Sequence, residues 1–124
     1  MAYVTATNTK GSVSLSPAVV RAWHEMPFPF PDRVLLLKDP QTGFFCLSPT
    51  DEETDDTRAV TQKGARVYIT CTALHSAIQE YANAGPFDAV RCPGAIVDGD
   101  VMFDAEEGRT VDEADPVLPG DVLA

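Results

Sequence analysis

Three cysteines, two histidines and several close carboxylates are the residues of this chain whose types can carry chemistry. Cys46, Cys71, Cys92, His24 and His75 offer thiolate sulfur and imidazole nitrogen, the donors that zinc takes at short, regular ligand spacings. No C-x-x-C and no H-x-x-x-H pattern occurs among them, so no metal site is expected. Cys71 stands at the start of an apolar helical stretch, where the helix dipole lowers a thiol pKa, with His75 on the next turn. That pair leaves nucleophilic cysteine–histidine chemistry formally open. The plainer reading makes Cys71 a small apolar residue at the first helical position, packed under a hairpin, and has His24 and His75 cover helix ends.

The carboxylate pairs Asp98 with Asp100 and Glu106 with Glu107 flank turns and polar segments, with no apolar wall to raise a pKa for acid–base work. No glycine-rich loop precedes a helix to cradle a phosphate. The chain is therefore expected to be no enzyme and to need no cofactor. The run Pro27-Phe28-Pro29-Phe30-Pro31 has the composition of a polyproline ligand, and equally that of a stiff connector whose rings plug a core.

The elements that would position these groups come in two similar sets. A strand over 4–8 turns at Thr9-Lys10-Gly11 into an alternating segment 12–16 that puts Val13 and Leu15 on one face. Ser16 is an N-cap candidate with Pro17 at the first helical position, and Val19, Val20 and Trp23 form the helix's apolar stripe. Prolines end this helix, and strands 33–38 and 44–48 follow as a hairpin through Asp39-Pro40-Gln41-Thr42-Gly43. The order then repeats. Strand 59–62 turns at Lys63-Gly64 into 66–70, with Val67 and Ile69 facing inward; Thr70 caps a helix whose stripe is Leu74, Ala77, Ile78 and Tyr81. Asn83-Ala84-Gly85-Pro86 stops it, and strands 89–92, 96–97 and 101–103 follow, the last two joined by the strong hairpin signal Asp98-Gly99. The class is mostly β with two short helices (α+β), built from tandem ββαββ units too small to bury a core alone. One barrel domain is expected over 1–104, with unit one at 3–49, an acidic linker at 50–57 and unit two at 58–104; residues 105–124 form an acidic tail without periodicity that is expected to be disordered.

Charge follows the same division. The net charge of −10 opposes binding to phosphate as a sum, yet residues 1–50 carry four basic and three acidic groups, and residues 57–104 carry four basic and five acidic. The excess acid sits in 51–56, with five acidic residues, and in 105–124, with six against one arginine. No apolar run of about 18 residues is present. With no leader-like start and an odd number of irregularly spaced cysteines, a cytoplasmic protein is expected, without a membrane span or a disulfide framework.

The string from Lys10-Gly11-Ser12-Val13-Ser14-Leu15-Ser16-Pro17 to Arg21, followed by Pro31-Asp32-Arg33-Val34 and Gly43-Phe44-Phe45-Cys46-Leu47-Ser48-Pro49, resembles the swapped-hairpin barrel family of AbrB-like and MraZ-like transcription regulators. The resemblance covers residues 3–104, more closely in the first unit. It implies a pseudo-two-fold barrel in which the units exchange hairpins, and a DNA-binding regulator that touches duplex DNA through basic residues near two Lys-Gly turns. Carried onto matching positions, it nominates Lys10, Arg21, Lys63 and Arg66, with the turns on a common side; Arg33 matches a structural strand start. The chain departs from the pattern at Asn8, where Asp is usual, and at Ser12, where Arg is usual. Ser16 is an extra residue before Pro17, Cys71 replaces a proline, and His75 comes nearest the second counterpart of Arg21. The alternative is an acidic protein-binding module or inhibitor, DNA-mimicking or antitoxin-like, whose linker or tail meets a protein and which binds no DNA. A homo-oligomer is open under either.

Overall fold

Alternation of small polar and β-branched residues makes Tyr3–Ala6 (β1) and Ser12–Leu15 (β2) a hairpin, and in the computed structural model, which describes residues 2–27, 29–39, 41–85 and 87–111, Val4, Ala6 and Val13 are fully buried. Pro17–His24 (α1) follows with Pro17 in its first turn. Ser16 is its N-cap, but the Ser16 hydroxyl accepts from the Tyr3 backbone N–H at 3.0 Å and ties the helix start to β1. Arg33–Lys38 (β3) and Phe44–Thr50 (β4) form the next hairpin.

The second set is Thr57–Lys63 (β5), Arg66–Thr70 (β6), Thr72–Tyr81 (α2), Ala89–Val97 (β7) and Asp100–Asp104 (β8). The N-cap of α2 is Cys71, one residue later than the expected Thr70. Asn83 at φ 55° ends α2; the Ala84 N–H reaches the Gln79 carbonyl and the Asn83 N–H that of Glu80, a Schellman stop that needs no glycine. Asp98 and Gly99, at φ 53° and 89°, make the tight β7–β8 turn expected of that dipeptide.

Hydrogen-bonded neighbours run β1-β2-β6-β5-β3-β4-β8-β7, and β7 returns to β1, so eight antiparallel strands close into a barrel. Its interior holds Val4, Val13, Val34, Leu47, Ile69, Val90, Val101 and Phe103, with Trp23, Leu74 and Ile78 packed onto it from the helices. Closure leaves none of the eight strands with a free edge along its whole length, a stable solution for strands this short.

Besides the cap, the elements themselves differ from the sequence reading in several places. The acidic linker shrinks to residues 51–56, because β4 runs on to Thr50 and β5 begins at Thr57; Thr57 Oγ1 donates to the Thr54 carbonyl at 3.0 Å and folds the segment into a turn. Segments 89–92 and 96–97 are one strand, β7, which passes through Pro93 and Gly94 as its partners change from β1 to β8. Residues after Asp104 are not featureless: a 3-10 turn at Ala105–Glu107 leads into Arg109–Val111 (β9), which pairs with β7. His75 covers no helix end but is buried, its Nε2–H donating to the Thr7 carbonyl at 2.6 Å. Of the expected features, Phe28, Pro40, Pro86 and the tail from residue 112 lie outside the described residues.

Candidate nucleic-acid interface

The nominated basic residues reach the surface from three places. Lys10 sits exposed in the β1–β2 turn, where the Gly11 carbonyl accepts from the Cys71 backbone N–H at 2.8 Å and fastens the turn to the start of α2. Lys63 and Arg66 stand directly opposite each other on the β5–β6 hairpin, flanking Gly64 at φ 63°. Arg21 is exposed on α1, on the side away from the buried Val19 and Trp23.

The turns do not sit beside each other on one side. Because β2 and β6 are antiparallel, with Ser12 opposite Thr70 and Ser14 opposite Tyr68, the Lys10 turn lies at the α2 end of this ladder and the Lys63–Arg66 hairpin at the α1 end. Gly11 still faces Cys71 and Arg66 falls six residue steps from Lys10 in this register, so at ~3.4 Å per step the basic side chains of the two ends start about 20 Å apart.

The registers extend this ladder into a row across the outer face of the sheet. Thr61, Tyr68, Ser14, Thr5, Arg91 and Arg109 are successive neighbours on β5, β6, β2, β1, β7 and β9. They alternate with the buried Val4, Ala6, Val13, Val67 and Ile69, so the row belongs to the side opposite the core. The strands β1, β2, β5, β6, β7 and β9 hold not one acidic residue, and Lys63, Arg66, Arg91 and Arg109 share the outward side of the row, while Arg58 stands opposite the buried Val34 on the other side of the pleat. The Arg91 guanidinium lies 4.2 Å from the Tyr3 ring centroid, and that of Arg66 5.9 Å from Tyr68. Among the described residues, Lys10, Arg21, Lys63, Arg66 and Arg91 make no ion pair. Such a face can hold an anion through several guanidinium and ammonium donors at once.

Arg91, Arg109 and Tyr3 belong to this face, and sequence reasoning missed them. Tyr3 and Arg91 lie in acid-free segments, their one visible signal, whereas Arg109 sits among Glu106, Glu107 and Asp112; the pairing of β7 with β1 and β9 that unites the three is non-local. Arg33, expected to be structural, donates through Nε to Thr57 Oγ1 at 2.8 Å and through Nη2 to the Thr57 carbonyl at 3.2 Å.

The remaining chemistry-bearing groups are placed apart. Cys71 is buried at the N-cap of α2, and burial followed by the Asp104 charge pushes the Cys92 thiol up to about 12; burial and Asp100 also raise Cys46. Cys92 and Cys46 stay protonated near neutral pH and are poor nucleophiles. Among the described residues no three of His, Cys, Asp and Glu come together as metal ligands, and no helix is long and apolar enough to cross a membrane. A shallow cavity of about 400 Å³ beside α2 is lined by Lys38, Ala73, Ser76, Ala77, Glu80 and Tyr81, and holds neither cysteine nor histidine. No family model matches the chain, and neither a curated protein nor a solved structure matches it.

Proposed function

We propose that this protein is a non-enzymatic regulator that binds duplex DNA through its base-rich sheet face, on a swapped-hairpin barrel made of two related units. The observation that carries the reading is the segregation of charge: in a chain of net charge −10 the outward-facing positions of β5, β6, β2, β1, β7 and β9 carry Lys63, Arg66, Arg91 and Arg109 and no acidic residue. Phosphate binding depends on local basic density rather than net charge, because each neutralised phosphate releases condensed counterions.

The two-unit reading is supported by the strand pairings. Exchanging β1 with β5, β2 with β6, β3 with β7 and β4 with β8 converts β1–β2 into β5–β6, β3–β4 into β7–β8 and β3–β5 into β7–β1, and leaves β2–β6 and β4–β8 unchanged. The helices obey the same exchange. Trp23 Nε1 on α1 donates to the Gly99 carbonyl in the β7–β8 turn at 2.8 Å, and Tyr81 Oη, at the end of α2, donates to the Thr42 carbonyl before β4 at 3.0 Å. Under it the Lys10 turn and the Lys63 turn take equivalent places at either end of the β2–β6 ladder.

Titration of a fluorescein-labelled 20-base-pair duplex with the full chain tests the reading. Four phosphate contacts from Lys10, Arg21, Lys63 and Arg66 contribute about −3.6 to the log–log salt slope, at about −0.9 each, and so a fall in affinity of at least about a hundredfold between 50 and 200 mM salt. Absence of duplex binding at 50 mM salt would replace this reading with that of an acidic protein-binding module.

A further inference from the structure

Arg91 and Arg109 stand directly opposite each other on β7 and β9, as Lys63 and Arg66 do on β5 and β6. Like charges in directly opposed cross-strand positions destabilise a sheet. With nineteen acidic residues in the chain, a compensating carboxylate is not in short supply, yet none pairs with Arg91 among the described residues. Both side chains are also held in place. The Tyr3 ring supports Arg91 at 4.2 Å, and Arg109 Nη1 donates to the Glu107 and Gly108 carbonyls at 3.2 and 3.0 Å.

A second observation points to the same spot. Thr5, opposite Arg91 on β1 and only 4% exposed, keeps an Oγ1 with no hydrogen-bond partner among the described residues, although a buried hydroxyl is ordinarily satisfied. Two directly opposed guanidinium groups, each oriented by its own contacts and neither paired with a carboxylate among the described residues, are the features of a preformed anion site, with the solvent-shielded Thr5 hydroxyl lying behind them. From β6 across β2 and β1 to β7 is three strand spacings, about 14 Å along the sheet at ~4.8 Å each.

We propose that Arg91 and Arg109 form a second phosphodiester clamp, with Thr5 and Tyr3 as positioning residues, so that duplex DNA lies across the sheet with one backbone on Lys63 and Arg66 and the other on Arg91 and Arg109. The inference rests on the DNA-binding reading above and adds residues that the Lys-Gly turns do not include. It also gives β9 a purpose: the strand carries the arginine that completes the clamp.

The test compares the full chain with Arg91→Ala/Arg109→Ala, Arg91→Lys/Arg109→Lys and Lys10→Ala/Lys63→Ala, each titrated with the labelled duplex from 50 to 200 mM salt. Both arginines are exposed, so the variants are expected to melt close to the parent protein. The double alanine variant should bind about a hundredfold more weakly at 100 mM salt, with a slope shallower by about two units; the double lysine variant should recover most of the slope. If the double alanine variant binds with the parent slope while Lys10→Ala/Lys63→Ala loses affinity, the clamp is wrong and the DNA reading stands. If the double lysine variant is as weak and as shallow as the alanine one, the side chains act structurally and the clamp is also wrong. If the parent chain fails to bind the duplex, the reading and the clamp fall together.

Discussion

Replacing Lys10, Lys63 and Arg66 together by alanine is expected to lower the affinity of the full chain for duplex DNA about a thousandfold at 100 mM salt, while leaving its melting temperature nearly unchanged. Each side chain is exposed, and none of the three makes an ion pair among the described residues, so removing them breaks no internal ion pair. Surface changes of this kind stay within about 0.5 kcal/mol each. A hydrogen bond to a charged group contributes ~1.5–3 kcal/mol, so three lost phosphate contacts amount to at least ~4.5 kcal/mol, and each ~1.4 kcal/mol is tenfold in affinity. The salt slope should become shallower by about 2.7 units, at ~0.9 per contact. Anisotropy titrations of parent and variant at four salt concentrations check both numbers. An unchanged affinity would remove the turns from the interface.

The second large effect concerns the scaffold. Trp23→Ala should destabilise the barrel by about 4–8 kcal/mol, enough to leave the chain partly unfolded at 37 °C. The side chain is 0% exposed, its ring meets Phe30 edge-on at 5.9 Å, and its Nε1–H donates to the Gly99 carbonyl at 2.8 Å. Truncating a buried tryptophan costs ~3–5 kcal/mol, and stranding the carbonyl in the β7–β8 turn adds ~1–3 kcal/mol, against a total stability of ~5–15 kcal/mol for a domain of this size. Trp23→Phe keeps most of the ring volume and loses the hydrogen bond, so it should cost about 2 kcal/mol. Urea unfolding followed by circular dichroism distinguishes the two; midpoints unchanged from the parent in both variants would show that Trp23 does not anchor the second hairpin.

What the chain made legible was local. Gly64 and the Asp98-Gly99 pair announce their turns because only glycine, or an Asx residue, enters the left-handed region cheaply, and Pro17 marks the first turn of α1 because its missing N–H is not needed there. The alternation of Val13 with Leu15 and of Val67 with Ile69 fixed the inward faces. Non-local pairing stayed hidden. β9 is three residues long and lies in an acid-rich stretch, so nothing in its own sequence names a partner; its strand character comes from the edge that β7 offers it. Pro93-Gly94 reads as a break but lies where β7 hands over from one neighbour to another, the kind of place a sheet tolerates a proline. The cap of α2 moved from Thr70 to Cys71 because Thr70 is still held in the ladder opposite Ser12. Arg91 and Arg109 were invisible as a pair for the same reason: they are eighteen positions apart in the chain and adjacent only in the barrel.

The most direct test of the central claim, that two equivalent basic turns on one barrel grip a single duplex, is a titration of the uniformly ¹⁵N-labelled full chain with the 20-base-pair duplex, followed by amide chemical shifts. The account predicts that Lys10–Ser12 and Lys63–Arg66 shift together, with one apparent affinity, while Cys46 and Met102 on the β4–β8 ladder stay where they are. Shifts confined to one turn, or centred on the β4–β8 ladder, would contradict it.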